Sequence, residues 1–235
     1  MVAVSSSPER NRLLASLSRS DMGLLQPHLD PVTLALRQAL EKPDKRVDAV
    51  YFPEGGFASV VAGHKTEAQV EVGLIGRDGM TGLTVALGNH RSPHSTYMQA
   101  AGHGQRISTG DLRKAMEESP SLRVSILNYV QVFMIQTAHT AIANARAKLD
   151  ERLARWILMA HDRLDGASLP LTHEFLALML GVRRPGVTHA LGALEAQQLI
   201  QTGHRAIVVL NRKGIERKAG SFYGAPEAEH RRLIG

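Results

Sequence analysis

The chain has 235 residues, of which 43% are hydrophobic and 21% charged, a balance typical of folded domains and not of a disordered chain. It contains no cysteine, which excludes disulfides, thiolate zinc sites, cysteine-ligated iron–sulfur clusters and cysteine nucleophiles. Its formal net charge is +6, its apolar runs are too short to span a membrane, and its N-terminus lacks the order of a secretory signal, so we expect a cytoplasmic protein.

The first half of the chain predicts a short helical segment followed by strands. Residues 9–30 resemble short helices, and we assign residues 1–30 to an N-terminal helical segment. From about residue 47 to 107, short apolar runs alternate with Gly, Pro, Asn and His clusters. Regular short strands with turn signals are typical of an antiparallel barrel or sandwich, of which we favour the barrel. We therefore predict a jelly-roll-like antiparallel β-barrel over residues 31–117.

A long helix is predicted over residues 118–148. Ser119 is a suitable N-cap and Pro120 suits the first helical position. Two apolar stripes run along this helix, so it needs two partners: its own barrel and, through residues 119–147, a second copy of the chain. The alternative, one helix buried within a single domain, stays open. The first stripe has 4-3 spacing and comprises Leu122, Ile126, Tyr129, Phe133, Gln136, Thr140, Ala143 and Ala147; the second comprises Leu127, Val130, Met134 and Ala141.

After an expected break near residues 148–150, residues 150–164 form an amphipathic pattern that Asp150 can cap and Gly166 can end. Thr172 then caps another helix, and Gly181 suits the sharp turn that follows it. A second helix starts at Arg183 or Arg184, and residues 201–210 around Gly203 predict a two-stranded wing. This order is that of a winged helix-turn-helix, which we assign to residues 149–220. The tail, residues 221–235, is expected to be loosely held.

The second helix turns chemically useful side chains away from the core. Arg184 is the candidate for a base contact, because a guanidinium can bind O6 and N7 of guanine together; a phosphate contact is the alternative. Pro185 offers only an apolar contact, and His204 and Arg205 at the tip of the wing would lie near the phosphate backbone. The candidate DNA-binding residues are Thr172, Arg183, Arg184, Pro185, Thr188, His189, His204 and Arg205.

The charge supports a polyanionic partner for the second half only. Residues 1–145 hold 14 Lys/Arg against 13 Asp/Glu, whereas residues 146–235 hold 14 against 9. Phosphate neutralisation needs such an excess. We find no phosphate loop, dinucleotide fingerprint or hydrolase motif, so no enzyme is predicted. A non-specific nucleic-acid-binding protein is an alternative, but a 4% aromatic content offers few stacking platforms.

Residues 171–209 resemble, without gaps, the winged helix-turn-helix of the CRP/FNR family of bacterial transcription regulators. In that family the positions matching Arg184, Pro185 and His189 typically read bases, and the one matching Thr172 contacts the DNA backbone. Pro185 and His189 depart from the commoner Glu and Arg, so the usual operator is not implied. The resemblance extends upstream to a cyclic-nucleotide-binding-like sensor barrel and a dimerisation helix. It implies double-stranded DNA, a second copy and RNA polymerase as partners.

The resemblance also locates where a nucleotide would bind, but its anchors are missing. Nucleotide-binding members have a Gly-Glu pair for the ribose and an Arg followed by Ser/Thr-Ala for the phosphate. Here Leu83 follows Gly82, and His94, Ser95 and Thr96 occupy the second site, with Arg91 as the nearest cation. We therefore predict a degenerate pocket, no cofactor and an unknown effector. A cyclic-nucleotide-gated activator remains the alternative, and haem would need His64, His90, His94 or His103.

Overall fold

The computed structural model describes residues 10–63, 69–203 and 206–235. The helices are α1 (Arg12–Ala15), α2 (Arg19–Leu25), α3 (Leu83–Ala86), α4 (Thr109–Glu118), α5 (Pro120–Arg146), α6 (Leu149–His161), α7 (His173–Leu180), α8 (Arg184–Ala196), α9 (Arg212–Ala219) and α10 (Ala225–Leu233). The strands are β1 (Asp30–Leu34), β2 (Ala39–Glu41), β3 (Ala49–Ala62), β4 (Val70–Ile75), β5 (Ser95–Ser108), β6 (Ser168–Leu169), β7 (Ile200–Gly203) and β8 (Ala206–Val209). None of the helices in these ranges is long and apolar enough to cross a membrane.

An antiparallel sheet forms the N-terminal half, in the order β1-β5-β3-β4, with β2 also paired to β5. Its two longest strands, β3 and β5, pair with register shifts between Pro53 and Ala58. Such bulges bend a strand and increase its twist, so the sheet curls around its own apolar interior. This interior includes Leu34, Ala58 and Met98, all inaccessible to solvent. The predicted fold class, an antiparallel β domain followed by a long helix and a winged helix-turn-helix, is confirmed.

The long helix α5 begins as the sequence predicts. The Ser119 side chain accepts a hydrogen bond from the Leu122 N–H, and Pro120 is the first helical residue. Its first stripe packs on its own chain, because the large residues Leu122, Ile126, Tyr129 and Phe133 are all buried. Gln136 holds the neighbouring sheet through both atoms of its amide: Oε1 accepts from the Leu74 N–H at 2.6 Å and Nε2 donates to the Leu74 carbonyl at 3.2 Å.

The second stripe of α5 is split between the interior and the surface. Val130 is buried, whereas Met134 is 65% exposed and Ala141 is exposed. The apolar face of α5 that remains accessible is therefore the one on which Met134 lies. It lies on the opposite side of the helix from the 4-3 stripe that starts at Leu122.

Two expectations about helix ends are wrong. Lys148, not Asp150, is the N-cap residue of α6. The Lys148 N–H donates a hydrogen bond to the Glu151 carboxylate at 2.8 Å. This helix ends at His161, five residues before Gly166, although Gly166 does adopt a positive φ of 79°. The expected break after α5 is confirmed, since α5 ends at Arg146 and α6 begins at Leu149.

The expectation of a loose tail is also wrong. Residues 225–233 form α10, which packs along α5. Pro226, His230 and Ile234 are buried, and the His230 Nε2 donates to the Asp78 carbonyl at 2.7 Å. The tail looks polar in sequence because the residues that hold it are few and contact segments far along the chain.

The helix-turn-helix domain docks on the sheet through Trp156 of α6. Its ring packs edge-on between Phe57 of β3 and Phe175 of α7, with centroids 6.1 Å and 5.6 Å away. The indole Nε1 donates to Glu71 Oε1 at 2.6 Å, and the Ser59 hydroxyl donates to Glu71 Oε2 at 2.5 Å. Burial raises the pKa of Glu71 to about 7, although both hydrogen bonds act in the opposite direction. One side chain thus joins both halves of the chain.

Reciprocal charges hold the same two halves together at the turn after β4. Arg77 Nη1 pairs with Asp165 at 2.7 Å, and Asp78 pairs with Arg163. Burial raises the pKa of Asp78, but the charges of Arg163 and His230 outweigh burial, so the pKa is lowered. Since this pair is buried, losing either partner would strand a charge in the interior. The orientation of the helix-turn-helix is therefore tightly constrained.

Candidate nucleic-acid interface

The two helices of the helix-turn-helix form for local reasons that the sequence contains. The Thr172 hydroxyl accepts from the Phe175 N–H at 3.2 Å and caps α7. Gly181 has a φ of 61°, which a residue without a Cβ adopts at little cost. The chain then turns into α8, whose N-cap is Arg183 and which carries proline in its first turn. The Gly181 turn thereby sets α8 against α7.

The predicted division of α8 into an inner and an outer face is confirmed. Its inner residues pack into the core shared with α6 and α7. Its outer residues face solvent, and within the described ranges no ion pair or side-chain hydrogen bond engages the guanidinium of Arg183 or Arg184. The inner residues are Val187, Ala190, Leu191 and Leu194, and the outer ones are Arg183, Arg184, Pro185, Thr188 and His189.

One candidate hydroxyl already has partners within the chain. Thr188 Oγ1 donates to the Arg184 carbonyl at 3.2 Å and lies 3.1 Å from Nδ1 of His173. It therefore braces α8 against the start of α7. Sequence analysis did not single out His173, because a residue just after a helix cap gives no signal of a contact with the next helix.

The wing is confirmed as a pair of antiparallel strands, β7 and β8, and β6 extends it to three. Its position relative to α8 depends on Glu195, which sequence analysis missed. The Glu195 carboxylate accepts from both the N–H and the hydroxyl of Thr202, at 2.7 Å and 2.9 Å. These bonds lower the pKa of Glu195. The proposed contacts at the tip, His204 and Arg205, lie outside the described residues.

Several groups of the predicted nucleotide pocket are already engaged by the chain itself. The Gly82 N–H donates to Glu41 Oε1 at 2.8 Å, so this backbone donor is already used within the chain and is not free for a ligand. Arg91 is exposed and its Nη1 donates to the Asp44 carbonyl at 3.2 Å, outside the sheet interior. Leu83 packs against the apolar core.

The rest of the predicted pocket does not supply a phosphate anchor or metal ligands. His94 and Ser95 are half-buried, whereas Thr96 is buried on β5. Among the candidate haem ligands, His90 is exposed, His103 lies against Gly55, and His64 falls outside the described residues. Among residues that the structure describes, no cluster of three or more His, Asp or Glu could hold a metal.

Comparison with known proteins decides the identity of the C-terminal domain. Residues 151–218 match the family described as the Crp-like helix-turn-helix domain. This part of the chain is a Crp-like helix-turn-helix domain. The Crp-like domain begins within α6 and includes α7, α8 and the wing, so it contains the described candidate contacts. No curated protein matches the chain by sequence.

Solved structures extend the likeness to the fold of nearly the whole chain. FixK2 from Bradyrhizobium japonicum has a TM-score of 0.69 at 14% identity, with 82% of this chain and 98% of that chain covered. A CRP-family transcriptional regulator from Thermus thermophilus has a TM-score of 0.65 at 19% identity, with 81% of this chain and 97% of that chain covered. CLP from Xanthomonas campestris, described as a c-di-GMP responsive global regulator, has a TM-score of 0.64 at 16% identity. The match covers 82% of this chain and 99% of that chain. The predicted resemblance to CRP/FNR regulators is confirmed.

Proposed function

We propose that this chain is a transcription regulator that binds a specific inverted-repeat operator as a homodimer. The observation that carries the proposal is the exposed face of α8, on which Arg183 and Arg184 lie beside Pro185 and His189 with no side-chain partner among the residues that the structure describes. Guanidinium groups free of internal partners can bind guanine edges or phosphates. Because such a protein would act on the chromosome, the proposal implies a cytoplasmic protein that also contacts RNA polymerase.

The accessible face of α5 supports the homodimer. Val124 is 56% exposed and Met134 65%, and Ile142 beside the seam is 48% exposed, an unusual exposure for large apolar side chains. Alternating steps of three and four residues are the spacing of a coiled-coil seam, and small residues towards its C-terminal end let two helices approach closely. A second copy fits because it presents the same stripe about a two-fold axis. The seam residues are Val124, Leu127, Gln131, Met134, Ala138, Ala141 and Ala145.

The dimer would place two copies of α8 on one face, about 34 Å apart, which is one turn of B-DNA. The operator should then be an inverted repeat with half-sites about 10 base pairs apart. Selection of bound duplexes from a random pool tests this directly. Recovery of a palindromic consensus supports the proposal, and recovery of unrelated sequences bound equally well contradicts it.

We further infer that the β domain does not take a cyclic nucleotide. The Gly82 N–H already donates to Glu41, and among the described residues no guanidinium replaces the missing phosphate anchor, because Arg91 lies at the surface. Repeating the selection with and without cell metabolites would show whether another effector changes affinity for the recovered duplex.

The substitution Arg184→Ala should relax base preference at one operator position. Losing a bidentate contact to guanine removes about 1–3 kcal/mol of discrimination against the wrong base. Binding to the consensus and to a duplex mutated at each position, measured by fluorescence anisotropy, checks this. Arg217→Ala, an exposed arginine of α9, is the control for lost charge. An equal loss on every duplex would instead make Arg184 a phosphate contact.

A further inference from the structure

The turn that joins β1 to β2, residues 35–38, belongs to the β domain but is held rigidly by neighbouring backbone. The Gln38 N–H donates to the Ala35 carbonyl at 3.0 Å, and the Gln38 side chain accepts from the Ala35 N–H at 2.8 Å. The Arg37 N–H donates to the Met98 carbonyl at 2.9 Å, and the Met98 N–H returns to the Gln38 carbonyl at 3.0 Å. The turn is therefore fixed to β5.

Arg37 has an unusual conformation at the tip of this turn. Its φ is 65°, in the left-handed region where residues other than glycine are strained. The side chain is exposed, and within the described ranges no ion pair engages it. Leu36 beside it is 57% exposed. A strained, rigid turn thus presents a guanidinium and a largely exposed apolar side chain to solvent.

This turn faces the candidate DNA interface across a cleft of about 580 Å³. Leu36 and Arg37 form one wall. The other walls are the entry to α7, the head of α8 and the base of the wing, and Glu174 is the single carboxylate among the described lining residues. The residues of these walls are Pro170, Leu171, Thr172, His173, Glu174, Arg184, Gly203, Ala206 and Ile207.

We propose that Arg37 binds a backbone phosphate, so that the DNA interface extends from the Crp-like domain onto the β domain. This inference rests on the proposed function. A strand of the duplex that contacts the N-terminus of α7 and Arg184 passes through the cleft between them and Arg37. The first-turn N–H groups of α7 favour an anion there, and a second guanidinium opposite them completes a phosphate clamp.

The rigidity of the turn strengthens this interpretation. A side chain on a turn pinned by four hydrogen bonds loses little backbone freedom when it binds, so the contact is pre-organised. The reciprocal pairs Arg77–Asp165 and Asp78–Arg163 join the two parts of the chain that form the walls of the cleft. The β domain thereby contributes to DNA affinity through its position as well as through any effector.

The test compares full-length wild type, Arg37→Ala, Arg37→Lys and Lys114→Ala on the duplex recovered by selection. Lys114 is an exposed cation of α4 outside the cleft and controls for net charge. We expect Arg37→Ala to weaken binding about tenfold on specific and unrelated duplexes alike, and Arg37→Lys to restore most of it. The slope of log affinity against log salt should fall by about 0.9 for each protomer, because one phosphate contact is lost.

The outcomes separate the two proposals. If wild type prefers no duplex, the proposed function itself fails. If wild type is specific but Arg37→Ala binds with unchanged affinity and salt slope, only the role of Arg37 is overturned. Tighter binding by Arg37→Ala would also overturn it, because the turn would then obstruct the duplex. Thermal unfolding of each variant confirms that the fold is retained.

Discussion

Replacing Glu71 with glutamine should stabilise the protein by about 3 kcal/mol at pH 8 and by much less near pH 5. Burial raises the pKa of Glu71 to about 7 in the folded protein, from 4.5 when exposed. The folded state therefore binds the proton more tightly than the unfolded state. The contribution of the Glu71 carboxyl to the free energy of unfolding is fully present below about pH 4.5. As the pH rises to about 7 it is lost, at about 1.4 kcal/mol per pH unit.

Glutamine suits the site because it mimics the protonated carboxyl. Its carbonyl can still accept from the Trp156 Nε1, and its amide can donate to the Ser59 hydroxyl. Neither bond requires a charge in the interior, so the ionisation cost disappears while the contact between the sheet and α6 is kept. The exchange tests whether Glu71 is a buried titrating group or merely a hydrogen-bond partner.

Urea unfolding from pH 5 to 8.5 measures this effect. The difference between wild type and Glu71→Gln isolates Glu71 from other groups, such as His161, whose pKa burial lowers and which acts in the opposite direction. Glu117→Gln makes the same chemical change on the exposed face of α4 and serves as the control. Parallel curves for wild type and Glu71→Gln would show that the carboxyl does not titrate in this range.

The helix-turn-helix could be predicted because its determinants are local. The cap at Thr172, the turn at Gly181 and the apolar spacing of α8 each depend on residues within one or two turns of helix. Such rules act on a short segment regardless of the rest of the chain. The exposed arginine face follows from the same spacing, since positions opposite the core must face outward.

The contacts between the two halves could not be predicted, because they join residues far apart in sequence. Trp156 and Glu71 are 85 residues apart, and so are Arg163 and Asp78. Nothing in the sequence around Glu71 marks it as buried, since a lone acidic residue in a strand is ordinarily exposed. The same holds for Glu41, whose bond to Gly82 fills part of the predicted pocket.

Periodicity also failed to say which face of α5 points inward. Two stripes on opposite sides of the helix both have steps of three and four residues, so spacing alone does not distinguish them. Side-chain size does distinguish them, because the large rings of Tyr129 and Phe133 fill the space beneath the sheet. Gly79 has no side chain at the place where the Tyr129 ring packs against it. Complementary shapes on distant segments decided the orientation, and a single sequence does not display them.

The substitution Met134→Glu should convert the proposed homodimer into a monomer and lower operator affinity about a hundredfold or more. Met134 lies mid-way along the exposed stripe of α5, where the two-fold axis would bring it close to its own copy. Two carboxylates would then be buried together without a counter-ion. Since linked half-site binding gains about 10²–10⁴ in affinity, losing the dimer forfeits that gain.

Analytical ultracentrifugation and titration of the selected duplex measure both effects on the same sample. Met134→Leu keeps the apolar surface and should remain dimeric with wild-type affinity, which controls for substitution at this position. Because Met134 is 65% exposed in the single chain, neither change should alter the circular dichroism of the fold. A Met134→Glu protein that is still dimeric would move the interface away from this face of α5, whereas a monomer that binds the full operator as tightly as wild type would show that the two half-sites are not read together.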